Sequence, residues 1–290
     1  MSAKGLVRRI GAHESVAGGL HTAFERIASV GGTALQIFTR NQRQWDAAPV
    51  TDEEAALFVA AWERWGSYPV ASHASYLINV ASADDALRGR SVAALAAELE
   101  RCRRLGVPWV VLHPGARGSA GLEEALARAA ASLDQAFESG AEGGPLILLE
   151  NTAGQGSALG GDLAELAAIA GLTRHQGRIG FCFDTCHGFA AGYDVRTSKG
   201  LDAALSHLDP SRLLLLHAND SKGGLGSHLD RHEHIGQGAI GLEGFSSIVN
   251  HPQLAWLPMI LETHKEKDLA EDVRNLAALR GLMSENRSSG

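Results

Sequence analysis

The sequence predicts an α/β fold, a closed (β/α)8 TIM barrel, on three observations. Eight short runs rich in apolar or β-branched residues alternate with longer amphipathic stretches along the whole chain, the pattern of a parallel sheet with crossover helices. Five of the runs end in a metal-ligand residue type, His73, His113, Glu150, Asp184 and His217, at intervals of 40, 37, 34 and 33 residues, and Glu262 follows 45 residues later. Each interval is the length of one strand, one helix and two loops, so successive βα units deliver a side chain to one rim. Six of eight strands contributing ligands requires a closed ring, because an open doubly wound sheet feeds its crevice from a few strands only.

Taken in order, the strand runs are 8–13, 35–39, 69–73, 109–113, 146–150, 179–184, 213–217 and 258–262. Helix candidates lie between them, clearest in the Ala- and Leu-rich stretches 84–105, 122–138, 162–170 and 266–282. The Gly-rich and polar loops 39–49, 151–161 and 219–241 are longer than a compact barrel needs, and long loops at the active face are where substrate recognition usually sits. No linker, low-complexity tract or repeat beyond the βα period interrupts the chain, so residues 1–290 are expected to form a single barrel domain, with a frayed tail at 284–290.

Composition narrows the class. No apolar run approaches the ~20 residues of a membrane span, and the opening Met-Ser-Ala-Lys-Gly-Leu-Val-Arg-Arg is too short and polar for a signal peptide, so a soluble intracellular protein is expected. Cys102, Cys182 and Cys186 cannot all pair, and they read as reduced core thiols rather than ligands. A formal charge of −7 ordinarily weighs against a nucleic-acid partner. Here several carboxylates are ligand candidates whose cations would cancel most of that charge, so the local charge at the mouth decides.

Ile147-Leu-Leu-Glu150 and Met259-Ile-Leu-Glu262 each put a carboxylate directly after apolar residues at a strand end, a costly place unless a cation or hydrogen bonds compensate. With Asp184 and His217 at equivalent ends, they form a donor set suited to zinc or manganese. His73 and His113 add two imidazoles toward a neighbouring ion, and Glu150 has two oxygens with which to bridge the pair. In Asp184-Thr-Cys-His187 the chain turns after the strand, so His187 points away from the ion of Asp184 toward a third position. Asp230-Arg-His232 supplies partners there, since residues two apart in extended chain face the same side. Singly, such a His is more often a hydrogen-bonded core residue, such a Glu is as often a salt-bridged one, and Asp-Arg-His has a solvated polar loop as its alternative. Nine together exceed what one or two ordinary zinc ions need. His13, His228, His234 and His264 lie near the predicted mouth without an assigned role, while His21, His175, His207 and His251 fall in helices or connections.

After the second strand, Arg40-Asn41-Gln42-Arg43-Gln44-Trp45 gathers guanidinium groups, amides and an indole suited to phosphate contacts, base-edge hydrogen bonds and stacking. Tyr76-Leu77 after the third strand offers a wedge that can enter a base stack.

Over 10–282, the segments His73-Ala-Ser-Tyr-Leu-Ile-Asn, Leu112-His113-Pro-Gly, Leu149-Glu150-Asn-Thr-Ala-Gly-Gln-Gly, Asp184-Thr-Cys-His187, His217-Ala-Asn-Asp-Ser, Asp230-Arg-His232 and Leu261-Glu262-Thr closely resemble the signatures of endonuclease IV. That family consists of DNA-repair enzymes acting at apurinic and apyrimidinic sites. The resemblance implies a (β/α)8 barrel with three zinc ions per chain, manganese being an alternative occupant. His73, His113 and Glu150 would hold one ion, Glu150, Asp184, His217 and Glu262 the second, and His187, Asp230 and His232 the third, with Glu150, Asp184 and Glu262 catalytic. It also implies Asn41, Gln42, Arg43, Tyr76 and Leu77 as DNA-contacting residues and duplex DNA containing abasic sites as the partner, the abasic nucleotide turned out of the stack. The expected reaction is metal-assisted hydrolysis 5′ to the abasic site, leaving a 3′-hydroxyl and a 5′-deoxyribose phosphate, with cleaning of blocked 3′ ends as a further activity. A cytoplasmic, nucleoid-associated monomer with no membrane contact and no obligate protein partner is expected. The chain departs from the family in extra residues before Ile10 and in Gly236-Gln237-Gly238, where an amide replaces a frequent carboxylate.

Two rival readings use fewer of these features. A single-metal sugar isomerase or epimerase of the related barrel group needs Glu150, Asp184, His217 and Glu262 but not the other five ligands, so metal stoichiometry separates it. A non-catalytic damaged-DNA binder would carry structural ions, which are usually closed by four protein ligands, whereas two of the three sets here have three.

Overall fold

Eight parallel strands close into a barrel in the computed structural model, which describes residues 8–140 and 143–283. They are β1 (Ile10–Glu14), β2 (Leu35–Ile37), β3 (Val70–His73), β4 (Trp109–Leu112), β5 (Leu146–Glu150), β6 (Ile179–Asp184) and β7 (Leu213–His217), then, beyond a small antiparallel pair β8 (Asp220–Ser221) and β9 (His232–Glu233), β10 (Met259–Leu261). Neighbours around the ring follow chain order, and β10 closes onto β1. All eight expected strands are present with shifted ends. The first begins at Ile10, the second stops at Ile37, and His113 and Glu262 stand one residue beyond their strands. The expected tail at 284–290 lies outside the described residues.

The crossovers are α1 (Thr22–Ser29), α2 (Asp52–Trp65), α3 (Asp85–Leu105), α4 (Leu122–Glu138), α5 (Leu163–Leu172), α6 (Thr185–Ala191), α7 (Ser198–Leu205), α8 (Gly241–Asn250) and α9 (Ala270–Leu282). Polar caps fix several starts. Asp84 accepts hydrogen bonds from the Ala86 and Leu87 amides ahead of α3, and Asp162 accepts one from Ala164 ahead of α5, so each helix starts one residue after its expected bound. The last helix starts at Ala270 rather than 266, because Leu269 takes a left-handed φ of 57° and the Glu266 amide donates to the Glu271 carboxylate, closing a separate turn.

Interior side chains alternate with helix-facing ones along each strand. Ala34, Ala71, Val111, Leu148, Cys182, Leu215 and Ile260 form a small cluster separate from the larger core that includes the helices. Gly11 belongs to the same layer from β1, where a Cβ would come within 1.6 Å of the Ala34 carbonyl oxygen. Two residues further along each strand stand His13, Gln36, His73, His113, Glu150, Asp184, His217 and Glu262. Stacked side-chain layers fill such barrels, and here the layer nearest the strand C-termini is polar.

Candidate metal centre

Glu150 sits at the middle of that polar layer, fully buried. One carboxylate oxygen lies 3.0 Å from His73 Nε2 and 3.3 Å from His113 Nε2. The other meets His217 Nδ1 at 2.7 Å, and Glu262 Oε2 is 3.2 Å from the same nitrogen. Across the floor, His187 Nε2 is 3.1 Å from Asp230 Oδ1, while His232 Nε2 lies 3.8 Å from that oxygen and 3.6 Å from Asp184 Oδ2. Donor atoms gather into overlapping groups, each within 4.8 Å: His73, His113 and Glu150; Glu150, Asp184, His217 and Glu262; and Asp184, His187 and His232. All nine sequence-derived ligand candidates therefore meet here, with Asp230 bordering the third group. Their arrangement differs from expectation in one respect. Asp184 joins the second and third groups: it caps α6 and accepts the His187 backbone amide at 2.8 Å, while His187 Nε2 faces Asp230 at the edge of the third group.

Charge is tightly paired in this layer. Burial opposes ionisation of Glu150, but His113 and His217 outweigh it and hold the carboxyl well below the usual range; Glu262 is held low in the same sense by His217 and His13. Burial likewise opposes a charged His187, yet Asp184, Asp230 and Glu150 lift it to about 10. His217 also stands well above the ordinary histidine value, against its burial and in favour of Glu262 and Glu150. Imidazoles and carboxylates crowded this closely suit a divalent cation that replaces the protons. His232 Nε2 fits such a role directly: it is buried, lacks a hydrogen-bond partner among the described residues and faces two aspartates. Cys182 also lies within 4.8 Å of Glu150 and His217, but burial pushes its thiol up to about 12. All three cysteines are free and buried.

Neighbouring amides hold the donors. Asn151 accepts from the Asp184 amide at 2.7 Å, and its carbonyl oxygen receives His187 Nδ1–H at 3.0 Å. Asn219 donates to Asp184 Oδ2 at 2.7 Å and accepts the Glu262 amide at 2.8 Å. Asp220 pins the 219–241 loop by accepting from the Gly236, Gly238 and Ile240 amides, and a Cβ at Gly238 would come within 2.4 Å of the Ser221 carbonyl oxygen. Cys186 Sγ donates to the Arg231 carbonyl oxygen, steadying Asp230 and His232 from below. None of these amides is marked for such a role by strand spacing. His13 and Gln36 also stand in the ring, and the signal for Gln36 is a lone polar residue between the apolar Leu35 and Ile37 of β2. Of the other histidines left open, His228 pairs with the Ala153 carbonyl oxygen, His234 with Asn275, and His264 is exposed.

Above the floor opens a cleft of about 930 Å³, lined by His13, Arg43, His73, Tyr76, Asp230 and Glu262 among others. Asn41, Arg43 and Tyr76 are exposed on its rim, while Gln42 and Leu77 are half-buried. Ser75 joins the two rim loops, donating to the Gln42 carbonyl oxygen at 2.8 Å and accepting the Leu77 amide at 3.2 Å. Arg40 also lines the cleft, with its side chain largely buried. Its guanidinium lies 3.7 Å from buried Glu98, which also accepts from Thr39 and Ser72 and so anchors the loop base. No helix among the described residues is long and apolar enough to cross a membrane.

The family model described as xylose isomerase-like TIM barrel matches residues 24–279. A protein of Chloroflexus aurantiacus, described as probable endonuclease 4, is 49% identical over 279 residues, covering 95% of this chain and 98% of its own. The crystal structure of endonuclease IV from Thermus thermophilus superposes with a TM-score of 0.84 at 38% identity, covering 94% of this chain and 98% of that one. A D-tagatose 3-epimerase-like protein superposes at 0.70 with 20% identity over 94% of this chain and 96% of that one, a likeness of fold alone. With a full-length relative at this identity and all seven signature segments gathered at one barrel mouth, the chain belongs to the endonuclease IV family of DNA-repair nucleases.

Proposed function

We propose that this protein hydrolyses the phosphodiester 5′ to apurinic and apyrimidinic sites in duplex DNA, leaving a 3′-hydroxyl and a 5′-deoxyribose phosphate, and that it also trims blocked 3′ ends. Three zinc ions would be held by His73, His113 and Glu150; by Glu150, Asp184, His217 and Glu262; and by His187, Asp230 and His232, with manganese able to replace zinc. The observation that carries the reading is the chain of donor groups sharing Glu150 and Asp184 at the bottom of one open cleft. Bound divalent ions would supply positive charge to the phosphoryl oxygens and acidity to water.

The residues have separable tasks. Glu150 and Asp184 would serve adjoining cation positions, and Glu262 would complete the middle one. Asn41, Gln42 and Arg43 would contact backbone and base edges, and Tyr76 with Leu77 would fill the space left by an unstacked nucleotide. A sugar epimerase would use the middle group alone and has no need of the other five donors or of this rim. The test is to purify the protein without chelator, count zinc by elemental analysis and incubate it with duplex DNA carrying one abasic analogue. The reading expects three metals per chain and one incision immediately 5′ to the lesion. One metal and no incision would replace it with the single-metal epimerase.

A further inference from the structure

Five candidate ligand histidines face the carboxylates of the floor, and they are not oriented alike. His73, His187 and His232 donate Nδ1–H to the backbone carbonyls of Ala74, Asn151 and Glu262, at 2.8, 3.0 and 3.2 Å, and so present Nε2 to the centre. His113 also presents Nε2, and its Nδ1 has no hydrogen-bond partner among the described residues. His217 is turned the other way: Nδ1 faces Glu150 and Glu262, and Nε2 lies 2.9 Å from Gln36 Oε1.

Gln36 is fully buried, and its amide has only one workable orientation. Glu262 Oε1 lies 2.6 Å from the amide nitrogen, and exchanging the amide's oxygen and nitrogen would set two acceptors against each other there. The oxygen must therefore face His217, so His217 Nε2 carries hydrogen and donates. In the neutral ring that leaves the Nδ1 lone pair directed at the carboxylates of the middle group. The second amide hydrogen points to His13 Nδ1 at 3.1 Å, which leaves the proton of a neutral His13 on Nε2.

We propose that Gln36 is a positioning residue for the middle cation site: its carboxamide selects the tautomer in which His217 offers Nδ1 as a ligand and, through its N–H groups, aligns Glu262 and His13. The assignment rests on the metal-binding reading above. Among the described residues, three of the other candidate ligand histidines rest their second nitrogen on the main chain and His113 has no partner there, whereas that of His217 meets a side chain that a substitution can remove. Partners of this kind typically change metal affinity by about 10–100-fold when removed.

Two measurements test it. In the metal-loaded wild-type protein, ¹⁵N chemical shifts of the imidazoles should report hydrogen on Nε2 and ligation through Nδ1 for His217; the opposite pattern overturns the assignment without any variant. In a chelator-competition titration read by elemental analysis, Gln36→Met should lose one ion about 10–100-fold more readily than wild type while keeping the other two. Gln36→Glu retains an acceptor for His217 but repels Glu262, and should fall between. Wild-type metal retention in a folded Gln36→Met protein overturns the assignment alone, whereas a wild-type chain without tightly bound metal overturns the proposed function and this assignment with it.

Discussion

At the floor of the cleft, six of the nine donors take their places from the ends of barrel strands and are held by backbone carbonyls and buried amides, with His187, His232 and the half-exposed Asp230 supplied by α6 and the segment after β7, whereas at the rim, exposed side chains ride on loops tied down by a few hydroxyl and carboxylate contacts. Glu150 is wholly buried and Tyr76 is 67% exposed. Each task is therefore altered at a different depth of the cleft. Floor residues form one electrostatic unit in which any change reaches several partners, so they should govern turnover. Rim residues act more independently and should govern how tightly damaged DNA is held.

The largest expected effect is at the floor. On the proposed function, Glu150→Gln would weaken two adjoining cation positions at once and should lower kcat by roughly 10³-fold or more, since metal charge stabilisation is worth several kcal/mol. Steady-state kinetics with an abasic duplex would read it, and wild-type turnover would remove the shared-ligand assignment.

Next comes the response to chelator and pH. A histidine whose folded pKa exceeds its unfolded value of 6.5 contributes stability that is fully present below that value and lost as pH rises through the folded pKa. With His187 at about 10, the metal-free protein should lose thermal stability between about pH 6.5 and 10, while the metal-loaded protein should not follow that decline. Parallel pH profiles of Tm for the two forms would break the link between these protons and the ions.

At the rim, Tyr76→Ala should raise KM or weaken DNA binding by about 1–3 kcal/mol, the usual worth of a base-stacking aromatic, while leaving kcat within a few-fold. An equal loss in kcat would erase the division between floor and rim. The smallest effect belongs to Ser75→Ala, which uncouples the two rim loops by removing hydrogen bonds to Gln42 and Leu77 and should weaken DNA binding by about 0.5–1.5 kcal/mol. Fluorescence anisotropy with a labelled duplex would resolve it.

The same contrast explains what the sequence made legible. Ligands at the ends of β3 to β7 recur because each βα unit has a similar length, so spacing alone located His73, His113, Glu150, Asp184 and His217. Gln36 is not legible in this way, because a carboxamide is not a metal-ligand residue type and β2 ends at Ile37 rather than at the expected Thr39, which places Gln36 at the strand's mouth end. The sharing of Asp184 depends on how α6 starts, a matter of capping geometry that spacing does not carry. Arg40 and Arg43 are indistinguishable by composition, yet one is drawn inward by Glu98 on a helix far along the chain. Helices α3, α4, α5 and α9 stood out through their Ala and Leu content. The α8 segment begins with glycine next to the Gly-rich loop 219–241, which masked its start.

On the proposed function, the three adjoining donor groups at this floor each hold an ion. The most direct test is anomalous scattering at the zinc edge from crystals of protein purified without chelator. The claim predicts three peaks per chain, with Glu150 between the first two and Asp184 beside the second and third. A single peak within the group of Glu150, Asp184, His217 and Glu262 would contradict it.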